Sequence, residues 1–439
     1  MNTIETLIHA DWVICVDDDN QVLEGHSLAI RKGVIVDILP TSEARQKYSA
    51  NKEHELPGQA VIPGLINGHT HAPMNLFRGL ADDLPLMQWL EQHIWPAEQK
   101  WVDADFVRDG TRLAIAEMLR SGTTCFNDMY FFPDIVAEQA KTAGIRASIG
   151  LIVIDFPTVW ASDAKEYIDK GLQLHDTLHA EPLLTTAFAP HAPYTVSDEP
   201  LAELTMLARE KNIPVHMHIH ETAGEITMAI EQTGQRPLHR LEELGVLSDQ
   251  LMAVHMTQLT DEEISLLAER GCHVLHCPES NLKLASGLCP VQSLLDADVN
   301  VALGTDGVAS NNDLDMLGEM RTAALIAKVI SNDARAVDAN TALRMATING
   351  ARALGLDSTT GSLETGKSAD ITTINLDSLE TQPLYDPVSQ LVYAAGREHV
   401  TNVWVAGEHL LVDGKLAKMD ETELLETAKS WKKRIAGDD

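Results

Sequence analysis

Between residues 61 and 310, short apolar runs alternate with stretches whose apolar positions recur every three or four residues. The short runs have the length and the β-branched residues of buried strands, whereas the spacing of three and four residues puts apolar side chains on one face of a helix. Strands that alternate with helices form parallel sheets, because each helix returns the chain to the start of the next strand. The pattern therefore predicts a series of β/α units.

Eight such strands are predicted in this part of the chain. Their ranges are 61–66, 123–127, 146–152, 184–189, 213–218, 251–255, 273–276 and 300–304. Amphipathic helices are predicted between several of them, at residues 106–120, 201–211 and 261–270. Eight β/α units close a TIM barrel, so we expect an α/β protein built around a (β/α)8 barrel.

Both ends of the chain have a different pattern. Residues 3–39, 369–375 and 400–412 read as short β-runs that are joined by turns and lack a helical crossover. Because chain termini often lie close together, we expect the two ends to pair into one small β-sandwich domain. The predicted domains are therefore residues 1–60 with 366–439 for the sandwich and residues 61–365 for the barrel. A charged surface helix is predicted over residues 421–435.

Composition narrows the range of partners. The chain has 439 residues, 44% of them apolar, and a formal net charge of −32. This negative charge repels phosphate backbones and anionic lipid surfaces, so neither nucleic acid nor a membrane is an expected partner. The exposed helices of a barrel leave room for a homodimer.

The start of the chain and the cysteines bear on the compartment. The first 20 residues are acidic and lack a basic segment followed by an apolar stretch, which favours a cytoplasmic location. The five cysteines include no C-x-x-C pair, and an odd number argues against a disulfide framework. We therefore expect buried free thiols.

Histidines and carboxylates gather at the predicted strand ends. His69 and His71 lie two residues apart, so strand geometry aims both imidazoles to one side, as two ligands of one metal would be. The other strand ends supply further candidates, namely His191, His216, His218, His220, Glu221, His255 and Asp306. The alternation also predicts one shared face for His216, His218 and His220. Catalytic groups of TIM barrels come from these ends, and imidazoles with one carboxylate form metal sites that leave a position for water.

Each histidine taken alone has a simpler interpretation. A single strand histidine is more often a hydrogen-bonded core residue, and one beyond the barrel rim is more often solvated. His93, His175, His179 and His239 lie in helical or loop stretches and receive this interpretation. The prediction of a metal site therefore depends on the convergence of several strand ends.

The motifs at these strand ends closely resemble those of the amidohydrolase superfamily. They are PGLINGHTH at residues 63–71, HIHET at residues 218–222, His255, and GTDGVASNN at residues 304–312. Within the superfamily the chain looks most like the branch of 5'-methylthioadenosine and S-adenosylhomocysteine deaminases. The resemblance covers essentially the whole chain, including the split sandwich and the sequence GKSAD at residues 366–370.

This resemblance implies a set of metal ligands: His69, His71, His218 and Asp306. One divalent ion is expected, with zinc favoured, although iron and manganese suit the same ligands. The resemblance also implies that Glu221 shuttles protons and that His255 orients the attacking water or the tetrahedral intermediate. In the resulting scheme a water activated by the metal attacks the carbon that bears the amine, Asp306 accepts the water proton, and Glu221 protonates ring nitrogen N1. The products are a 6-oxopurine nucleoside and ammonia.

Two further motifs resemble the same branch and concern the substrate. They are WPAE at residues 95–98 and APHAPY at residues 189–194, and they imply that Glu98 and His191 contact the substrate together with Glu221 and Asp306. A carboxylate such as Glu98 can accept hydrogen bonds from both hydroxyls of a ribose.

The loops near the barrel mouth add two expectations. Residues 155–160 contain no arginine to meet an amino-acid carboxylate, which favours methylthioadenosine or adenosine over S-adenosylhomocysteine. Apolar residues of the first loop either cover a purine or only pack the loop onto the barrel; they are Leu86, Met87, Trp89 and Trp95.

Two alternative functions stay open at this point. The first is an enzyme of the same superfamily that acts on guanine, cytosine or an s-triazine, and Glu98 with His191 argues against it in favour of a nucleoside. The second is a metal-bearing barrel that has lost catalysis and serves as a binding module. The presence of all the implied ligands and of Glu221 argues against this second alternative.

Overall fold

Along the sequence, the barrel strands are preceded and followed by strands of a second sheet, which the two ends of the chain supply. The computed structural model describes residues 1–437. Four strands precede the barrel: β1 (Asn2–Ile14), β2 (Val22–Arg31), β3 (Val34–Pro40) and β4 (Tyr48–Pro63). Helix α1 (Thr41–Lys47) lies between β3 and β4.

Eight parallel strands follow, and each pairs with the next one along the chain. They are β5 (Leu65–Thr70), β6 (Thr123–Tyr130), β7 (Arg146–Val153), β8 (Leu184–Pro190), β9 (Val215–Ile219), β10 (Leu251–His255), β11 (His273–His276) and β12 (Asn300–Leu303). This order, with helices between the strands, confirms the predicted (β/α)8 TIM barrel.

Helices connect these strands on the outside of the barrel. Those up to β9 are α2 (Leu86–Trp89), α3 (Trp95–Trp101), α4 (Ala104–Arg120), α5 (Pro133–Ala143), α6 (Ala164–Leu178) and α7 (Asp198–Lys211). Those from β9 to the end of the barrel are α8 (Ala223–Thr233), α9 (Pro237–Glu243), α10 (Asp261–Arg270), α11 (Pro278–Lys283), α12 (Val291–Asp296), α13 (Met316–Ser331), α14 (Ala339–Met345) and α15 (Ile348–Ala353). Among residues 1–437, no helix combines the length and the apolar character that a membrane crossing requires. All five cysteines are buried and free, as expected.

The C-terminal strands complete the second sheet. They are β13 (Ile371–Asn375), β14 (Val400–Val405), β15 (Glu408–Val412) and β16 (Lys415–Leu416), accompanied by helices α16 (Pro387–Tyr393) and α17 (Glu421–Ala436). The sheet order is β16-β15-β14-β13-β4-β1-β2-β3, so the two chain ends meet where β13 pairs antiparallel with β4. The edge of β3 bends round to Ser368, which precedes β13, and the curved sheet encloses its own apolar core around Ile8, Leu28 and Trp404. The two ends therefore form one small domain, as predicted.

The predicted first barrel strand was displaced. The sequence predicts a strand over residues 61–66, but residues 61–63 are the end of β4 in the small sheet. The barrel strand β5 begins at Leu65 and carries His69 within it rather than after it. Gly64 separates the two strands, and a β-carbon there would lie 2.1 Å from the side chain of Thr124. One continuous apolar run thus serves two sheets, and the domain limits given above stay a prediction.

The barrel closes where β12 lies beside β5. The amide of Asn67 donates to Thr305 Oγ1 at 2.7 Å, and its oxygen accepts from the Thr305 backbone N–H at 3.0 Å. Gly304 permits the close approach, because a β-carbon at this position would lie 2.6 Å from the backbone nitrogen of His69. This closure brings the end of the last strand against the end of the first.

A buried ion pair joins the barrel to the small domain. Arg146, at the start of β7, contacts both carboxylate oxygens of Asp370 at 2.8 and 3.3 Å, and its Nη2 also donates to Ser368 Oγ at 3.1 Å. The Asp370 side chain is fully buried and also accepts the backbone N–H of Ala406. The sequence GKSAD thus supplies the carboxylate that fixes one domain on the other.

Replacement of Asp370 by alanine is expected to destabilise the protein strongly. The Arg146 guanidinium stays buried without its counter-charge, which costs about 3–5 kcal/mol of the free energy of unfolding. Denaturant titration followed by circular dichroism measures the change. The matched control is Asp169→Ala, which breaks the exposed pair with Lys165 and should alter stability far less. Equal effects of the two substitutions would contradict a structural role for the buried pair.

Candidate active site

Four ligand-type side chains meet at the C-terminal mouth of the barrel. They are His69, His71, His218 and Asp306, and their ligand atoms all lie within 4.8 Å of one another. The Nε2 atoms of His69 and His218 are 3.2 Å apart, and Asp306 Oδ1 lies 3.2 Å from the Nε2 atoms of both His69 and His71. The structure therefore brings together all four residues that the resemblance implied as ligands.

Hydrogen bonds on the far side of two rings set their orientation. His71 Nδ1 donates to the carbonyl of Met129 at 2.5 Å, and His218 Nδ1 donates to the carbonyl of His191 at 2.8 Å. When Nδ1 carries the proton of a neutral imidazole, Nε2 holds a lone pair. In this neutral form, the lone pairs of both rings point into the cluster. His69 Nδ1 contacts His216 Nε2 at 2.9 Å, so this ring is also held from behind.

The environment keeps three of these groups, His69, His218 and Asp306, in the protonation states that bind a cation. Burial lowers the pKa of His69 to about 4 and holds the pKa of His218 well below its usual range. Burial opposes the charged form of Asp306, yet hydrogen bonds with His69 and His71 hold its pKa well below its usual range. Burial also disfavours a charged His71, but the hydrogen bond and charge of Asp306 raise the pKa of His71 to about 9. A cation that binds here displaces that proton.

The donor set fits one divalent cation. Ligand atoms at about 2.0–2.1 Å from a tetrahedral zinc ion are separated from each other by about 3.3 Å, which is close to the three distances of 3.2 Å in the cluster. Three imidazoles and one carboxylate are ligands that suit zinc, iron or manganese. The cluster is thus a candidate metal centre.

Two serines that sequence analysis did not identify hold the second oxygen of Asp306. Ser280 Oγ and Ser310 Oγ donate to Asp306 Oδ2 at 2.7 and 2.8 Å, and all three side chains are buried. Oδ1 stays directed at the histidines. Ser310 belongs to the sequence GTDGVASNN at residues 304–312, and Ser280 lies on α11. Their contact with Asp306 depends on a three-dimensional arrangement that a linear pattern does not contain.

Glu221 and His255 form the second part of the site. His255 Nδ1 donates to Asn281 Oδ1 at 2.9 Å, which directs Nε2 towards Glu221 Oε2 at 3.9 Å. Both side chains are buried and line the same cavity as the ligand cluster. Burial raises the pKa of Glu221, so this carboxyl holds a proton more readily than an exposed one.

The expectation that His216, His218 and His220 share one face was wrong for His220. Strand β9 ends at Ile219, and His220 has a left-handed backbone with a φ of +54°. Its ring turns away from the cluster, and its Nε2 accepts the backbone N–H of Leu238 instead. Strand alternation does not extend through such a turn. His216 lies behind His69 and supports it rather than joining the ligands.

A cavity of about 790 Å3 opens above the cluster. Glu98 and His191 line it, as expected for substrate contacts, and so do Leu86, Trp89 and Trp95 of the first loop, whereas Met87 does not. Tyr130, which the sequence did not suggest, donates its hydroxyl to Glu98 Oε1 at 2.8 Å. Burial raises the pKa of Glu98 to about 7.

A second group of ligand-type residues lies on the small domain. His9, Glu53 and Glu55 approach one another across the parallel pairing of β1 and β4. Arg45 Nη2 already contacts Glu55 Oε1 at 2.6 Å, and both glutamates are exposed. This group therefore forms an ordinary surface ion pair rather than a second catalytic centre.

Comparison with known proteins agrees with this geometry. The model of the Amidohydrolase family matches residues 60–410, which include the whole barrel and its ligand cluster. The chain belongs to the amidohydrolase family. This amidohydrolase is a hydrolase that acts on carbon–nitrogen bonds.

Several curated relatives extend over nearly the whole amidohydrolase. The chain is 49% identical over 433 residues to a protein of Teredinibacter turnerae named 5-methylthioadenosine/S-adenosylhomocysteine deaminase, covering 99% of this chain and 98% of the relative. A protein of the same name from Saccharophagus degradans is 48% identical, with 98% and 97% covered. The crystal structure of an adenosine deaminase from Xanthomonas campestris with bound zinc superposes with a TM-score of 0.98 at 54% identity, and 99% of each chain is covered.

Loss of a ligand is expected to remove the metal. We expect the purified protein to hold about one divalent ion per chain and His218→Ala to hold a small fraction of that, because three ligands with one position open bind more weakly than four. Metal analysis by mass spectrometry measures the content. His239→Ala, which changes an exposed histidine of α9, serves as control. Full metal content in the His218 variant would exclude this residue as a ligand.

Proposed function

We propose that the protein is a metal-dependent deaminase that converts a 6-aminopurine nucleoside into the 6-oxopurine nucleoside and ammonia. The observation that carries this proposal is the placement of three groups around one cavity: the ligand cluster, the protonatable Glu221 and the Glu98 carboxylate. The first two serve hydrolysis of a carbon–nitrogen bond, and the third suits a ribose. The proposed substrates are 5'-methylthioadenosine and adenosine.

The names of the relatives support the same substrate class. The two curated relatives described above carry the name of a methylthioadenosine and S-adenosylhomocysteine deaminase, and the Xanthomonas protein is called an adenosine deaminase. Zinc is bound in the Xanthomonas crystal structure, so we propose zinc as the resident ion here. A bound divalent cation lowers the pKa of a coordinated water towards neutrality and so supplies the nucleophile.

The residues of this chain have separate tasks in the proposed reaction. The amine departs only after the ring nitrogen next to it has gained a proton, and Glu221 can deliver it because burial raises its pKa. His255 presents Nε2 as an acceptor that orients the attacking water, since Asn281 holds its Nδ1. Asp306 has Oδ1 left to take up the water proton, because two serine hydroxyls occupy Oδ2. Oδ1 also accepts the backbone N–H of Gly307 at 2.8 Å.

The ribose end of the substrate is assigned to Glu98. Tyr130 occupies one side of its Oε1, which fixes the carboxylate and leaves lone pairs for the two ribose hydroxyls. A bare base or an s-triazine has no hydroxyls to offer, so this arrangement favours a nucleoside over guanine, cytosine or melamine. His191 stands beside the cluster, where burial lowers its pKa to about 3 and keeps it neutral. A homodimer and a cytoplasmic location stay predictions from the sequence.

Replacement of Glu221 by glutamine tests the proposed chemistry. Glutamine keeps the shape of the side chain but carries no transferable proton, so turnover should fall by at least about 100-fold while the metal content is unchanged. Ammonia release from methylthioadenosine and adenosine measures turnover, with guanine and melamine assayed in parallel. Glu231→Gln in the exposed part of α8 is the matched control. Wild-type rates in the Glu221 variant, or preference of the native enzyme for guanine or melamine, would contradict the proposal.

The cavity also discriminates between substituents at the 5' position. Its wall at the end of β7 and in the loop that follows is apolar, with Ile152, Ile154 and Phe156 among the lining residues. Among the residues that the structure describes, no lysine or arginine lines the cavity. The α-carboxylate of S-adenosylhomocysteine therefore meets no counter-charge, whereas a methylthio group finds apolar surface. The proposed preference is for an uncharged 5' group.

We therefore expect a value of kcat/KM for methylthioadenosine that is at least about tenfold above that for S-adenosylhomocysteine, because an unpaired charge costs more than about 1.4 kcal/mol to desolvate. Steady-state kinetics with both nucleosides gives the ratio. Val159→Arg places a guanidinium at the exposed edge of this wall and should raise kcat/KM for S-adenosylhomocysteine alone. Val159→Met is the uncharged control. Equal native kcat/KM values for the two substrates would refute the preference.

A further inference from the structure

The turn that carries Glu221 is held by a carboxylate four residues further along the chain. Glu225 Oε2 accepts the backbone N–H of Glu221 at 2.7 Å, and Glu225 Oε1 accepts the backbone N–H of His220 at 3.1 Å. The two oxygens thus bind two successive peptide groups. These hydrogen bonds act on the backbone, so the Glu221 side chain stays free to face the cavity.

Glu225 is buried in a position where a carboxylate is costly. Only 5% of its surface is exposed, and burial raises its pKa to about 7. It lies in the first turn of α8, where the positive end of the helix dipole favours negative charge. A solvent-exposed carboxylate at this position would gain the same stabilisation, so the dipole does not account for the burial. The burial of this carboxylate is therefore compensated by its bonds to the turn.

The backbone of this turn requires support. His220 adopts a φ of +54°, a left-handed conformation that residues other than glycine rarely take. The opposite side of the turn is held by Thr257, whose Oγ1 donates to the carbonyl of Glu221 at 2.7 Å and whose N–H donates to the carbonyl of His220 at 3.0 Å. The Glu221 peptide is thus fixed at its N–H by Glu225 and at its carbonyl by Thr257.

We propose that Glu225 is a positioning residue for the deamination, because it holds the backbone of Glu221 where the carboxyl of Glu221 reaches the reacting ring nitrogen. This inference rests on the proposed function and adds a residue that touches neither the ligand cluster nor the cavity. Without the Glu225 carboxylate, two buried N–H groups lose their acceptors and the left-handed turn relaxes. Glu221 then shifts while the four metal ligands keep their places on the barrel strands.

Steady-state kinetics of metal-replete Glu225→Ala tests this inference. A misplacement of about 1 Å in a catalytic group lowers rates by about 100-fold, so we expect kcat to fall by this order. KM should stay within about threefold and metal content should be unchanged, because Glu98 and the ligands are not disturbed. Glu225→Gln retains one acceptor oxygen, so its kcat should be about tenfold above that of Glu225→Ala.

Thr222→Ala is the matched control. It removes the side chain that caps α8 by accepting the Glu225 N–H at 3.2 Å, but it leaves both bonds of the Glu225 carboxylate in place. We expect it to lower the melting temperature with kcat within about threefold of wild type, since a lost cap costs only about 1 kcal/mol of stability. If Glu225→Ala does not fold, Glu225→Asp draws the carboxylate back by one carbon and should lower kcat by about tenfold.

Several outcomes would overturn the inference. They are a wild-type kcat in Glu225→Ala or Glu225→Asp, a loss carried by KM or by metal content, and an equal loss of kcat in Thr222→Ala. Turnover of the wild-type enzyme in the same assay separates this inference from the proposed function. If the wild type releases no ammonia from any aminopurine nucleoside, the proposed function fails, whereas an active wild type with an equally active Glu225→Ala contradicts the positioning role alone.

Discussion

Closure of the barrel between its first and last strands is the constraint on which the site depends. His69 and Asp306 are 237 residues apart in sequence, yet Nε2 of one lies 3.2 Å from Oδ1 of the other. This contact exists because Asn67 bonds to Thr305 across the seam and because Gly304 allows the two backbones to approach. A cation held at this point would stabilise the closure, and the closure in turn preorganises its ligands.

The spacing of apolar residues along the chain was enough to predict most of the fold. Seven of the eight predicted barrel strands overlap the observed ones closely, because a buried parallel strand is an apolar run between two amphipathic helices. The predicted position of the first strand was wrong for a physical reason. Residues 61–63 are as apolar as residues 65–66, and only the strand with which each pairs distinguishes them. Pairing across more than 300 residues, as between β4 and β13, leaves no local signal.

Some residues of the site could likewise be predicted from the sequence, and others could not. Ligands on strands were predictable, because alternate side chains share a face and strand ends share an edge. Contacts between elements that follow different strands were not: Ser280 reaches Asp306 from α11, and Ser310 reaches it from the turn after β12. Tyr130 at the end of β6 likewise reaches Glu98 on α3. His220 shows the limit of the strand rule, since one left-handed residue turned its ring away from the site.

Charge gives the site its chemical direction. Carboxyl groups of Glu98, Glu221 and Asp306 line a cavity without lysine or arginine, in a chain whose formal net charge is −32. Such an environment repels anionic substrates, and burial within it favours the protonated form of a carboxyl group. Hydrogen bonds with His69 and His71 hold the pKa of Asp306 well below its usual range against the effect of burial, whereas burial raises the pKa of Glu221. Asp306 therefore stays charged, and Glu221 binds a proton more readily. The division of labour between a metal ligand and a proton donor thus follows from their surroundings rather than from their chemical type, since both are carboxylic acids.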